Sequence, residues 1–91
     1  MRDAPVDTLT LVYLARLRDA FGMASERVAL PPDVATVSQL REWLAGRGGA
    51  WALELAAGRA VRIAVNHELA PPATPIRSGD EVALFPPVTG G

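Results

Sequence analysis

The chain has 91 residues, 49% of them hydrophobic, with nine basic residues against ten acidic ones and no cysteine. That length allows one small domain with a core of its own, and the apolar share excludes a disordered chain. A net charge of −1 supplies no field to draw nucleic acid or an anionic membrane, and the absence of cysteine excludes a disulfide frame, a thiol nucleophile and a cysteine-borne persulfide.

Residues 1–7 read as a loose leader without the apolar core of a signal peptide. No apolar run is long enough to cross a bilayer, so the chain is expected in the cytoplasm. Thr8 to Leu14 is rich in β-branched and aromatic residues and predicts a strand, with Leu9, Leu11 and Tyr13 on one face and Val12 and Leu14 on the other. A strand apolar on both sides belongs at the centre of a sheet or leaves one face for a partner. Leu14, Leu17 and Phe21 then fall at helical spacing, and Gly22 is placed to cap that turn. Glu26 to Leu30 predicts a short strand stopped by Pro31-Pro32.

Thr36 followed by Gln39 is a capping-box pattern. Val37, Leu40 and Leu44 continue it as one apolar stripe, and glycines at 46, 48 and 49 end the helix. Trp51 to Gly58 alternates like a strand but has the Ala and Leu content of a helix; a short helix or crossover is expected, with Trp51 as a core anchor. Val61 to Asn66 alternates cleanly, Asn66-His67 suits a tight turn, and Glu68 to Ala70 returns briefly. Ser78-Gly79-Asp80 is a further turn, leading into a last strand over Glu81 to Phe85.

Ordinary catalytic sets are missing. His67 is the single histidine, and a turn position suits it. Asp80 and Glu81 are neighbours where a strand begins, so they point to opposite faces and cannot act jointly on one bond. Gly46-Arg47-Gly48-Gly49 lacks the Lys-Ser/Thr of a phosphate-binding loop and reads as a helix stop. The nine basic residues are all arginine, so the chain carries no lysine side chain to be acylated.

The last residues are the distinctive ones. Pro86 and Pro87 lack N–H groups, end strand pairing and stiffen the exit. Gly90 and Gly91 form the narrowest tip a peptide offers. A double glycine alone also describes an ordinary frayed end. The whole run Phe85-Pro86-Pro87-Val88-Thr89-Gly90-Gly91, with Ser78 to Leu84 before it, resembles the small subunits of molybdopterin synthase, a family of ubiquitin-like sulfur carriers. The resemblance spans residues 8–91, and the tail departs from it nowhere.

That resemblance implies an α+β fold of the β-grasp type: a mixed sheet over 8–85 with one main helix across it, first and last strands parallel at its centre, and a protruding tail over 86–91. It implies a reactive carboxylate at Gly91, adenylated by an enzyme related to the ubiquitin-activating enzymes. That partner would use ATP and Mg²⁺; the chain itself would bind no cofactor. A separate sulfur donor would convert the adenylate to a thiocarboxylate. Pro86, Pro87, Val88, Thr89 and Gly90 would thread into the synthase's large subunit, in a two-plus-two heterotetramer, and sulfur would pass to cyclic pyranopterin monophosphate. Phe85, Leu14 and Leu69 would form the docking patch, although Leu14 and Leu69 equally suit a core. Three other readings remain: a thiazole-pathway sulfur carrier, whose tail usually lacks the Pro-Pro-Val stem; a ubiquitin-like modifier of proteins; and a β-grasp interaction module with an inert tail.

Overall fold

A computed structural model describes residues 7–87. The leader up to residue 6, and Val88, Thr89, Gly90 and Gly91, lie outside the described residues. In chain order the elements are β1 (Thr8–Tyr13), α1 (Arg16–Phe21), β2 (Ser25–Ala29), α2 (Val37–Ala45), α3 (Gly49–Glu54), β3 (Arg62–Val65), β4 (Glu68–Leu69) and β5 (Glu81–Phe85). The described strands form a mixed sheet in the order β2-β1-β5-β3-β4. β1 and β5 run parallel at its centre and the other pairs are antiparallel, which is the β-grasp arrangement.

Alternation decides which way the sheet faces. Leu9, Leu11 and Tyr13 of β1 and Val82 and Leu84 of β5 are wholly buried, and Ile63 of β3 joins them. They pack with Leu17 and Phe21 of α1 and with Val37, Leu40 and Leu44 of α2 in one cluster. Burying each such side chain contributes about 1.5–3 kcal/mol, before the entropy of ordering the chain is subtracted. The helices therefore share one face of the sheet. The other face, with Thr8, Thr10 and Val12 of β1, is only half buried.

Local chemistry sets the boundaries. Thr36 starts α2 as an extended cap, and its Oγ1 accepts from the Gln39 N–H at 3.3 Å. The Gln39 side chain reaches back one residue further than a standard capping box, taking the Ala35 N–H at 2.7 Å. Gly22 closes α1 in the left-handed region, φ 73°, where a Cβ would be strained. The 51–58 segment resolves into α3 and an irregular connection. Asn66 and His67 turn β3 into β4 with φ of 50° and 74°, the pair of positive values that a two-residue hairpin needs.

Two expectations need correction. Leu14 does not share the buried stripe of Leu17 and Phe21. β1 stops at Tyr13, and Ala15 has φ 55° and ψ −130°, a turn in the backbone that swings Leu14 out of line with α1. The second strand also begins one residue earlier, at Ser25, because Tyr13 donates its N–H to Ala24 O at 2.8 Å and draws that segment in.

Candidate docking face and tail root

β5 is the last of the described strands, and both of its edges are paired. On one side Tyr13 lies opposite Leu84; on the other Arg62 lies opposite Phe85. The Leu14 N–H extends the parallel ladder to Leu84 O at 3.1 Å. Because β1 and β5 run the same way, the chain leaves both strands at one end of the sheet. Leu14 thus sits beside Phe85, the last paired residue before the prolines.

The three residues expected in a docking patch are solvent-facing or half buried. Leu14 is 43% exposed and Leu69 63% exposed, which removes the alternative that they belong to the core. Phe85 is half buried. The register shows what lies between them. Leu69 pairs with Ala64 and Ala64 with Ala83, which pairs in turn with Val12. Small side chains therefore floor a shallow apolar strip, with larger ones at its ends. Such a strip on an uncovered sheet face suits a protein partner. Alternation with Ile63 and Val82 puts Ala64 and Ala83 on this side of the sheet, where Ala64 is buried and Ala83 half buried.

A second feature lies at the tail root. Pro86 and Pro87 are half buried, and with Arg16, Leu17, Glu54, Arg59, Ala60 and Val61 they line a cavity of about 250 Å³. In its wall sits Glu54, only 9% exposed, a charged residue among apolar ones. One Arg16 amino group donates to both Glu54 oxygens at 3.0 and 3.1 Å. Arg59 donates to Glu54 Oε1 at 3.2 Å. A buried carboxylate requires partners of this kind. Sequence reading missed this cluster; the one hint was a single acid within the run Ala50 to Ala57.

The remaining titratable residues have structural roles. Asp80 accepts from the Arg77 N–H and the Asn66 amide, and Asn66 Oδ1 accepts from the Glu81 N–H, so the carboxylate pair at 80–81 serves turns. His67 stands 3.8 Å from Glu81 on the hairpin turn. Gly46 closes α2 and Gly48 opens α3, so the glycine cluster is a helix stop and restart. Among the described residues no group of three or more His, Cys, Asp or Glu could hold a metal ion, and no described helix is long and apolar enough to cross a membrane.

This fold, with its open sheet face and its last strand held on both edges, defines a ubiquitin-like carrier body. The chain belongs to the ThiS family, whose model matches residues 11–91. It is 40% identical over 83 residues to the molybdopterin synthase sulfur carrier subunit of Haemophilus influenzae, covering 91% of this chain and 99% of that one. The subunit of the same description from Escherichia coli K12 matches with the same identity and coverage. Among solved structures, small archaeal modifier protein 1 of Haloferax volcanii superposes with a TM-score of 0.71 at 31% identity, over 89% of this chain and 98% of that one.

Proposed function

We propose that this chain is the sulfur carrier subunit of a molybdopterin synthase and that the Gly91 carboxylate is its reacting group. The observation that carries this reading is the 40% identity to two such subunits over 99% of their length. The structure supports it physically, since the strand that ends in the tail is hydrogen-bonded on both edges up to Phe85. A tail rooted so firmly can be presented at a fixed place while its tip stays slim.

The chemistry divides between this chain and its partners. A carboxylate is a poor electrophile because oxide leaves badly. An activating enzyme, using ATP and Mg²⁺, joins the Gly91 carboxylate to AMP and releases pyrophosphate. Sulfur delivered at the sulfide level by a separate donor protein attacks the acyl carbon, AMP departs with its oxygen, and Gly91 ends as a thiocarboxylate. The large subunit then receives Val88 to Gly91 in a site that excludes water and limits hydrolysis. There the thiocarboxylate sulfur bonds to cyclic pyranopterin monophosphate, one water then cleaves the acyl–sulfur bond and returns the Gly91 carboxylate, and two sulfurs per product call for two carriers in a two-plus-two assembly. The apolar strip bounded by Leu14, Phe85 and Leu69 docks the partners, Pro86 and Pro87 aim the tail, and the chain contributes neither metal nor cofactor. The reaction is cytoplasmic.

Deleting Gly91 tests this directly. The truncated chain is expected to keep its melting temperature and to lose dithiolene formation completely in a reconstituted synthase. Retained product formation would overturn the reading. Appearance instead of lysine-linked adducts on other proteins, abolished by the same deletion, would favour a modifier.

A further inference from the structure

The Arg16–Glu54–Arg59 cluster has no part in the chemistry just described, yet it forms the wall beside Pro86 and Pro87. Its charges do not cancel. Two guanidinium groups share one carboxylate, which leaves one positive charge in excess. The anion is the buried member, while the Arg16 and Arg59 side chains are 59% and 39% exposed. Each arginine spends one nitrogen on Glu54, and no other hydrogen bond from either side chain occurs among the described residues. A guanidinium has five N–H donors in a planar fork, so most of this donor capacity faces outward, already oriented. Arg16 also directly follows Ala15, whose φ of 55° lies where an L-residue is strained. That backbone sets Leu14 on the open sheet face and Arg16 against Glu54.

Resting on the proposed function, we propose that Arg16 and Arg59, held by Glu54, form a cationic collar at the tail root that receives a carboxylate side chain from the rim of the synthase's large subunit. The occupant is set by reach and charge. Gly91 is the fourth residue after Pro87, a span of at most about 14 Å. An extended tail carries its reacting carboxyl, and any phosphate bound near it, that far from the collar. What meets the collar is then the entrance of the channel that swallows the tail. Two forked cations match a carboxylate there in both charge and geometry. The apolar strip and the collar would thus grip opposite sides of the same emerging tail, one by burial and one by charge.

The test uses the full chain and the purified large subunit, with calorimetric titration at low and at high salt. The triple variant Arg16→Gln/Arg59→Gln/Glu54→Gln removes the collar without leaving Glu54 orphaned. Its affinity at low salt is expected to fall about fivefold or more, with a flatter salt dependence, since rim charges act through screened attraction. Glu54→Gln alone removes the buried anion and keeps both cations. It is expected to lower the melting temperature while holding affinity within about threefold of the parent, because binding follows charge rather than stability. Unchanged affinity and salt dependence in the triple variant would overturn the collar. So would affinities that merely track melting temperature across both variants. A parent chain that fails to bind the large subunit would overturn the function on which the collar rests, a result distinct from a failed collar.

Discussion

Individual backbone positions show where this fold carries strain. Ala15 and His67 both hold positive φ without being glycine, at a cost on the order of 1 kcal/mol or more each. At Ala15 the conformation separates the exposed Leu14 from Arg16, which turns toward Glu54. At His67 it serves the hairpin, and the side chain is 83% exposed, with Nε2 3.8 Å from a Glu81 oxygen. His67→Gly would set a glycine directly after Asn66, and Asn-Gly is the preferred pair for this turn. We expect it to raise stability by about 0.5–1 kcal/mol, or a few degrees in melting temperature. Thermal denaturation checks this, and a lower melting temperature would contradict it. The sequence announced this turn through Asn66. It did not announce Ala15, because alanine carries no signature of positive φ. The three-and-four spacing of Leu14, Leu17 and Phe21 therefore read as a continuous helical stripe that the backbone in fact breaks.

Elements were legible where the signal is local, and less so where residues meet across the chain. The cap of α2 and the alternation of β1 and β5 are written in neighbouring residues, and the structure reproduces them with small shifts; in β3 the expected alternation fails at Ala64, which is buried beside Ile63. The links between elements are not. Tyr13 of β1 donates its buried hydroxyl to Glu26 of β2 at 2.6 Å, and Arg47, just past α2, grips the same carboxylate at 2.8 and 3.3 Å. The Arg47 guanidinium also lies over Trp51, which stacks on Phe21. One arginine thus ties β2, α2, α3 and α1 together, at separations no periodicity reveals. Burial alone would raise the Glu26 pKa, but its bonds from Arg47 and Tyr13 win and hold it below the ordinary glutamate value. A carboxyl depressed in the folded state stabilises above its unfolded pKa, and that contribution is lost as pH falls through the folded value. Stability is therefore expected to decline on acidification below the ordinary glutamate range. Arg47→Ala should lower stability at neutral pH and flatten that acid limb. Denaturant titrations at several pH values check it, and an unchanged acid limb would contradict the assignment.

At the scale of the molecule, the body separates two tasks. The buried side of the sheet makes the core with the helices, and the uncovered side presents Leu14, Phe85 and Leu69. Parallel pairing of β1 with β5 brings Leu14, Phe85, Arg16 and the prolines at the tail root to one end. The β-grasp assignment was readable from the order of elements and the resemblance carried by the final residues. The collar was not, since Arg16 and Glu54 lie 38 residues apart and only the packing of α1 against α3 makes them neighbours. On the proposed function, the folded body presents the Gly91 carboxylate for loading with sulfur. Intact-mass analysis after incubation with ATP, Mg²⁺, the activating enzyme and a sulfur donor tests it most directly. The expected result is a mass gain equal to one sulfur replacing one oxygen, confined to the last peptide and absent without ATP. A mass that stays unchanged, or a sulfur located anywhere else on the chain, would contradict it.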